Sequence, residues 1–165
     1  MPDRKRIVIN TGPILAIISA FDDLAILQKL YRNVLVPLEV CREIEAGGRN
    51  SFGVRQFNRA SWLTKYTSKQ PVSDFLKNSL DEGEASVIQL AIEQNISTVC
   101  IDEAVGRRIA RLNKLQLTGS IGVLLKAKQH GIPVVVRDAV ERMQKNGIWL
   151  SKQVVEFALE QAGER

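Results

Sequence analysis

Apolar residues along this chain alternate between short, β-branched runs and longer stretches with helical spacing. The runs at residues 7–9, 34–36 and 98–101 predict strands that are apolar on both sides, as in a parallel sheet with two covered faces. Between the strands, apolar residues recur every three or four positions, most clearly around Ala85 and Ile88. Strands that alternate with helices predict an α/β fold.

The individual elements follow from this pattern and from the turn residues. The predicted strands cover residues 7–10, 34–36, 62–66 and 97–101. The predicted helices start near residues 13 and 22 and then cover 39–46, 54–58, the stretch around 85–92, 103–113, 118–130, 133–145 and 151–162. Because neither a repeat nor a Pro- or Gly-rich linker interrupts the pattern, we expect a single domain over residues 1–165.

The charge of the chain favours anionic partners, because its 165 residues carry a net charge of +5. The apolar run after the basic N-terminus is too short for a signal-peptide core, and no stretch of about 20 apolar residues could span a bilayer. Two isolated cysteines and one histidine argue against a zinc site. We therefore expect a cytoplasmic protein without a membrane partner.

Polar residues stand where the predicted strands end and where the neighbouring helices begin. Asn10 follows the first strand and Asp102 follows the last, while Glu84 lies in the first turn of a helix and Glu43 lies within another. Oxygen ligands that converge at the carboxyl edge of such a sheet suit a hard divalent cation such as Mg²⁺. Taken singly, each acid also has a structural explanation as a helix cap, a partner of the helix dipole or a solvated side chain.

Basic residues crowd the segment directly after Asp102. They are Arg107, Arg108, Arg111 and Lys114. This segment is either a phosphate-binding flank of the metal site or an ordinary solvated helix face.

The glycine-containing stretch at residues 118–122 allows two interpretations. Backbone N–H groups at a helix start could bind a phosphate, or the stretch is an N-cap followed by glycines for close packing, which we favour. Its spacing matches neither nucleotide-binding fingerprint. Trp62, Tyr66 and Trp149 are too scattered along the sequence to predict a base-stacking platform.

Taken together, these features resemble the PIN-domain nucleases, and among them the VapC-like toxins of bacterial and archaeal toxin–antitoxin pairs. The resemblance runs from Ile7 to about Gly163. The stretches that carry it are INTGPI at 9–14, residues 36–40 with Glu43, DEGEA at 81–85, Ile101–Asp102 with Arg107–Arg108, TGSIGVL at 118–124, and Ala127–Lys128. It implies a three-layer PIN-like sandwich with a parallel sheet between helices on both faces.

The resemblance also implies roles for particular residues. The family's first-strand aspartate falls at Asn10 and its neighbouring hydroxyl at Thr11, and the remaining acids fall at Glu43, Glu84 and Asp102. In the family these positions hold one or two Mg²⁺ or Mn²⁺ ions that activate water to cut RNA, which agrees with the general chemistry of metal-assisted hydrolysis. The family further implies a homodimer and a small antitoxin as partner.

Asn10 departs from the family pattern, because an amide oxygen can bind a hard cation but brings no negative charge. Three explanations remain open: a natural loss of activity, an inactivating substitution in a toxic nuclease, or slower turnover. The sequence therefore predicts a metal-dependent endoribonuclease that is weakened or inactive at Asn10. The alternative is a non-catalytic PIN-like module that binds nucleic acid or protein through the same cleft. A third hypothesis, ranked below the other two, is an α/β protein that binds phosphate through the turn at Thr118.

Apolar residues near the N-terminus form two closely spaced helical stripes. They are Ile14, Ile17 and Ile18, and Leu24, Leu27 and Leu30. We expect part of one stripe to remain at the surface and to support the homodimer, with burial of both stripes inside the domain as the open alternative. In the last helix, Val154, Val155 and Leu159 are expected in the core.

Overall fold

A computed structural model describes residues 4–48 and 50–165 of the chain. In this part of the chain, a single parallel sheet has five strands in the order β3-β2-β1-β4-β5. The strands are β1 (Arg6–Ile9), β2 (Asn33–Val36), β3 (Thr64–Lys65), β4 (Thr98–Cys100) and β5 (Gln116–Thr118). The predicted α/β fold with a parallel sheet is thereby confirmed.

Helices connect and cover the strands. They are α1 (Thr11–Phe21), α2 (Ala25–Leu30), α3 (Leu38–Glu45), α4 (Val54–Arg59), α5 (Asp74–Ser79), α6 (Glu82–Glu93), α7 (Ala104–Leu112), α8 (Ser120–Gln129), α9 (Val136–Lys145) and α10 (Lys152–Gln161). Among the described residues, no helix is both long enough and apolar enough to cross a membrane.

The central strand β1 shows why the sheet lies between helices. Successive side chains of a strand point to opposite faces, yet Ile7, Val8 and Ile9 are all fully buried. Both faces of β1 are therefore covered. Helix α6 packs against β1, β4 and α3, while α1 packs against α8 and α9.

The carboxyl ends of β1, β4 and β5 lie side by side. The Asn10 N–H donates to the Cys100 carbonyl at 3.0 Å, and the Ile101 N–H donates to the Thr118 carbonyl at 3.0 Å. The residues that follow these three strands therefore share one edge of the sheet, which is where binding sites form in open α/β folds.

Strand β5 corrects the predicted helix at 118–130, which in fact begins at Ser120. The strand has three residues, of which only Leu117 is apolar, so it lacks the periodic pattern that identifies a strand. The apolar pattern also does not predict helix α5, which lies between the predicted strand at 62–66 and the predicted helix around 85–92.

The two N-terminal stripes are both buried, so the expected surface stripe is wrong. Every member of the two stripes is at most 3% exposed. The reason is that α8 and α9 cover α1, while α8 also packs against α2. In α10 the expectation fails for Val154, which is 39% exposed, whereas Val155 is partly buried against the core and the fully buried residue is Ala158.

Candidate metal centre

Asn10 lies at the floor of the shared sheet edge, directly after β1. Its side chain is 6% exposed, and Oδ1 has no hydrogen-bond partner among the described residues. The residue occupies the N-cap position of α1, but its side chain makes no capping bond to that described helix. A buried oxygen without a partner costs about 1–3 kcal/mol, so its retention points to a ligand.

Glu84 lies in the first turn of α6, the helix that packs against β1 and β4. The Asp81 carboxylate caps this helix by accepting the Glu84 N–H at 2.8 Å. The Glu84 side chain is 5% exposed, and its Oε1 also lacks a partner among the described residues. Asp81, Glu84 and Glu103 bring one carboxylate oxygen each within 4.8 Å of one another. Two oxygens on one Mg²⁺ lie at most about 4.2 Å apart, so small side-chain movements suffice to form a shared site.

Glu43 reaches the cluster from α3 and is oriented by Thr11. The Thr11 hydroxyl donates to Glu43 Oε2 at 3.0 Å. The other carboxylate oxygen lies against Gly83 so closely that a Cβ at this glycine would be 1.9 Å from Oε1. Desolvation and three neighbouring carboxylates raise the pKa of Glu43, whereas the Thr11 hydrogen bond lowers it.

Asp102 is fixed by the beginning of α8. Its Oδ1 accepts the Ser120 N–H at 2.8 Å. Gly119 permits this approach, because a Cβ there would be 2.5 Å from Asp102 Oδ1. Desolvation raises the pKa of Asp102, and the hydrogen bonds from Ser120 and the charge of Arg107 oppose this effect.

The negative charge of the clustered carboxylates is not fully offset by neighbouring positive groups among the described residues. Desolvation, the adjacent carboxyl of Glu103 and the charge of Asp81 together raise the pKa of Glu84 to about 8. A divalent cation would supply the missing positive charge. The oxygens available here belong to carboxylates and one amide, a donor set that fits Mg²⁺ or Mn²⁺ rather than softer metals.

The basic residues occupy different environments. Arg107 is half-buried, and its Nη1 donates to the Ile101 carbonyl at 2.7 Å and to the Thr118 carbonyl at 3.3 Å. Arg108, Arg111 and Lys114 are exposed on α7 and in the turn after it. Arg107 therefore ties β4 to β5, and contact of these four residues with nucleic acid stays a prediction.

The stretch at 118–122 contributes to the acidic site by holding the Asp102 carboxylate. The first amide of α8 is used by Asp102, and the N-cap position belongs to Gly119 instead of Thr118. The favoured interpretation of glycines for close packing agrees with the structure, since a Cβ at Gly122 would be 2.5 Å from Thr118 Oγ1.

Two acids of the cluster were not among the predicted site residues. They are Asp81 and Glu103. Asp81 stands three residues before Glu84 and Glu103 directly follows Asp102, so proximity to the predicted acids was the available signal.

The fold and its acidic edge define an α/β domain suited to a divalent metal. A sequence family described as PIN domain matches residues 6–164, and the chain belongs to this family. The PIN domain is a nuclease-type fold that is generally metal-dependent. No curated protein matches the chain. The predicted PIN-domain membership is confirmed, and the VapC-like branch stays a prediction.

Proposed function

We propose that this protein is a Mg²⁺- or Mn²⁺-dependent endoribonuclease that acts as the toxin of a toxin–antitoxin pair. The observation that carries the proposal is the pair of buried oxygens, Asn10 Oδ1 and Glu84 Oε1, that have no hydrogen-bond partner among the described residues of a PIN domain, with Glu84 itself part of a carboxylate cluster. Such oxygens are satisfied when a cation binds.

The residues that would hold the metal are Asn10, Glu43, Glu84 and Asp102, joined by Asp81 and Glu103. A bound divalent cation supplies Lewis acidity, which makes water more acidic and offsets charge on a phosphate. Thr11 keeps Glu43 in position through its hydroxyl, and the Ser120 amide does the same for Asp102.

The exposed basic residues support RNA as the substrate. Arg108, Arg111 and Lys114 follow the acidic cluster along α7, where they can attract the phosphates that flank the cleaved bond. The net charge of +5 acts in the same direction over longer distances.

An antitoxin is the second proposed partner. Val105 and Leu112 are 50% and 66% exposed on α7, and their spacing of seven residues places them on one helix face. Arg108 lies between these two side chains on the same face, which begins next to Glu103 and suits a partner segment that also covers the acidic cluster. We keep the homodimer and the cytoplasmic location as proposals that rest on the family resemblance.

The second candidate function is a non-catalytic PIN-like module, and Asn10 is the observation that favours it. Metal titration followed by a cleavage assay separates the two candidates. We expect the purified chain to bind Mn²⁺ and to cut single-stranded RNA, with loss of cleavage in chelator and in E84Q and D102N. The control is E82Q, which neutralises an exposed carboxylate of the same helix turn that pairs with Lys69 at 3.5 Å.

Metal binding without cleavage, under conditions where N10D cleaves, would assign the chain with Asn10 to the non-catalytic class. Absence of metal binding in both proteins would refute the proposed metal centre.

A further inference from the structure

A cavity of about 850 Å³ opens beside the acidic cluster. Asp102, Glu103 and Arg107 line it together with Trp149, Phe157 and further apolar residues. Its volume lies within the range of about 300–1,000 Å³ that is typical of ligand clefts. The lining therefore offers charged groups next to the candidate metal centre and aromatic surface for a flat apolar group.

Trp149 is presented to this cavity by a fixed turn between α9 and α10. The neighbours Ile148 and Leu150 pack against the core, whereas Trp149 is 84% exposed. The Ile148 N–H donates to the Met143 carbonyl at 3.0 Å, and Ser151 caps α10 by accepting the Val154 N–H at 3.1 Å. The turn is thus anchored on both sides of the tryptophan, and the indole has no structural role that explains its position.

Phe157 adds a second exposed aromatic ring to the same wall. It is 54% exposed and lies in α10, beyond the capped turn. Trp149 and Phe157 therefore line the same cavity. The sequence alone does not indicate that these two rings share it.

We propose that this cavity is a nucleobase subsite, in which an unpaired base of the RNA substrate stacks on Trp149 while its phosphate lies toward Asp102 and Glu103. The inference rests on the proposed nuclease function and deepens it, because it assigns a place in this chain to one base of the substrate. A nucleotide joins a phosphate to a flat aromatic base, which matches the charged and the aromatic residues of the lining. Bases within a duplex are already stacked on each other and are not available to the indole.

The chain offers a direct optical test, because it contains two tryptophans. Trp62 is half-buried against the core, whereas Trp149 is exposed in the cavity. In chelator, a short single-stranded RNA should quench the fluorescence of W62F and leave that of W149F unchanged. A duplex of the same sequence should quench neither variant.

Affinity provides the second measurement. Loss of one stacked base typically weakens binding by about 5- to 100-fold, and we expect this loss in W149A but not in W149F, which keeps an aromatic ring. An RNA with an abasic site at the stacked nucleotide should bind the wild type and W149A equally. Because Trp149 is so exposed, the melting temperature of W149A should equal that of the wild type.

The outcomes separate this inference from the nuclease proposal. Quenching of Trp149 without cleavage in Mn²⁺ supports the subsite and refutes the nuclease. If W149A cleaves RNA and has the same RNA affinity and KM as the wild type, the subsite proposal is overturned. The exposed aromatic residues would then be assigned to contact with a protein partner. Equal quenching by duplex and single-stranded RNA would also overturn the inference.

Discussion

Replacing Glu84 with glutamine is expected to stabilise the metal-free protein at alkaline pH. The reason is that Glu84 is buried among other carboxylates, so its ionisation is more costly in the folded chain than in the unfolded one. Glutamine has nearly the shape of the neutral acid and carries no charge at any pH. The variant therefore isolates the cost of this single ionisation.

The magnitude follows from the pKa of Glu84, which is raised from 4.5 to about 8. Because the folded value exceeds the unfolded one, the stability contributed by the neutral form is complete below pH 4.5 and is lost as the pH rises through about 8. A difference of about 3.5 pH units corresponds to roughly 5 kcal/mol. Allowing for hydrogen bonds that glutamine makes less well, we expect E84Q to be more stable by about 2–4 kcal/mol near pH 9.

Thermal unfolding in chelator measures this difference. For a chain of this size the expected gain corresponds to a rise in Tm of roughly 5–15 °C near pH 9, which shrinks toward pH 5. The matched control is E82Q, because Glu82 lies in the same helix turn but is exposed. Added Mn²⁺ should raise the Tm of the wild type more than that of E84Q, since the cation compensates the ionised carboxylate.

A Tm of E84Q that equals or falls below that of the wild type at every pH would refute this reasoning. It would mean that the Glu84 carboxylate is already compensated in the metal-free protein. A gain of the same size in E82Q would instead indicate a general effect of net charge.

Three further changes test other parts of the site. N10D should raise Mn²⁺ affinity by about tenfold or more, because a carboxylate replaces an amide at the ligand position; unchanged binding in calorimetry would show that Asn10 is not a ligand. G83A should weaken Mn²⁺ binding while leaving the Tm equal or higher, since its Cβ displaces the end of Glu43 and alanine favours helix; unaltered affinity would contradict the close contact. R108Q/R111Q should lower the slope of log affinity for single-stranded RNA against log salt by about 0.7 for each lost phosphate contact; a wild-type slope in fluorescence anisotropy would return these residues to a solvated helix face.

The parts of the fold that the sequence predicts are those with long or uniformly apolar patterns. The runs that form β1, β2 and β4 are buried on both sides, and α6 has a clear periodicity. Strand β5 is different, because its pairing with β4 is decided by tertiary contacts and not by the composition of Gln116–Thr118. The same holds for the N-terminal stripes, whose burial depends on where α8 and α9 pack.

Some residues of the candidate site can be predicted from the sequence, and others cannot. Asn10 and Asp102 were predicted from their positions at strand ends, which a sequence shows directly. Asp81 and Glu103 stand at helix starts, where an acid has an ordinary capping role, and Asp81 does cap α6. Only the spatial convergence of three carboxylates distinguishes a ligand from a cap. The position of Trp149 in the lining of a cavity that Asp102 also lines likewise depends on how the last two helices pack.

The hydrogen bond from the Ser120 amide to Asp102 has a consequence for protein synthesis. The candidate ligands come from segments between residues 10 and 103, but Asp102, which follows β4, acquires its fixed position only when α8 has formed. A nascent or truncated chain that stops before Ser120 therefore carries every one of these side chains without the hydrogen bond that orients Asp102. The candidate metal centre is thus completed late in synthesis, only once the chain is long enough to include α8.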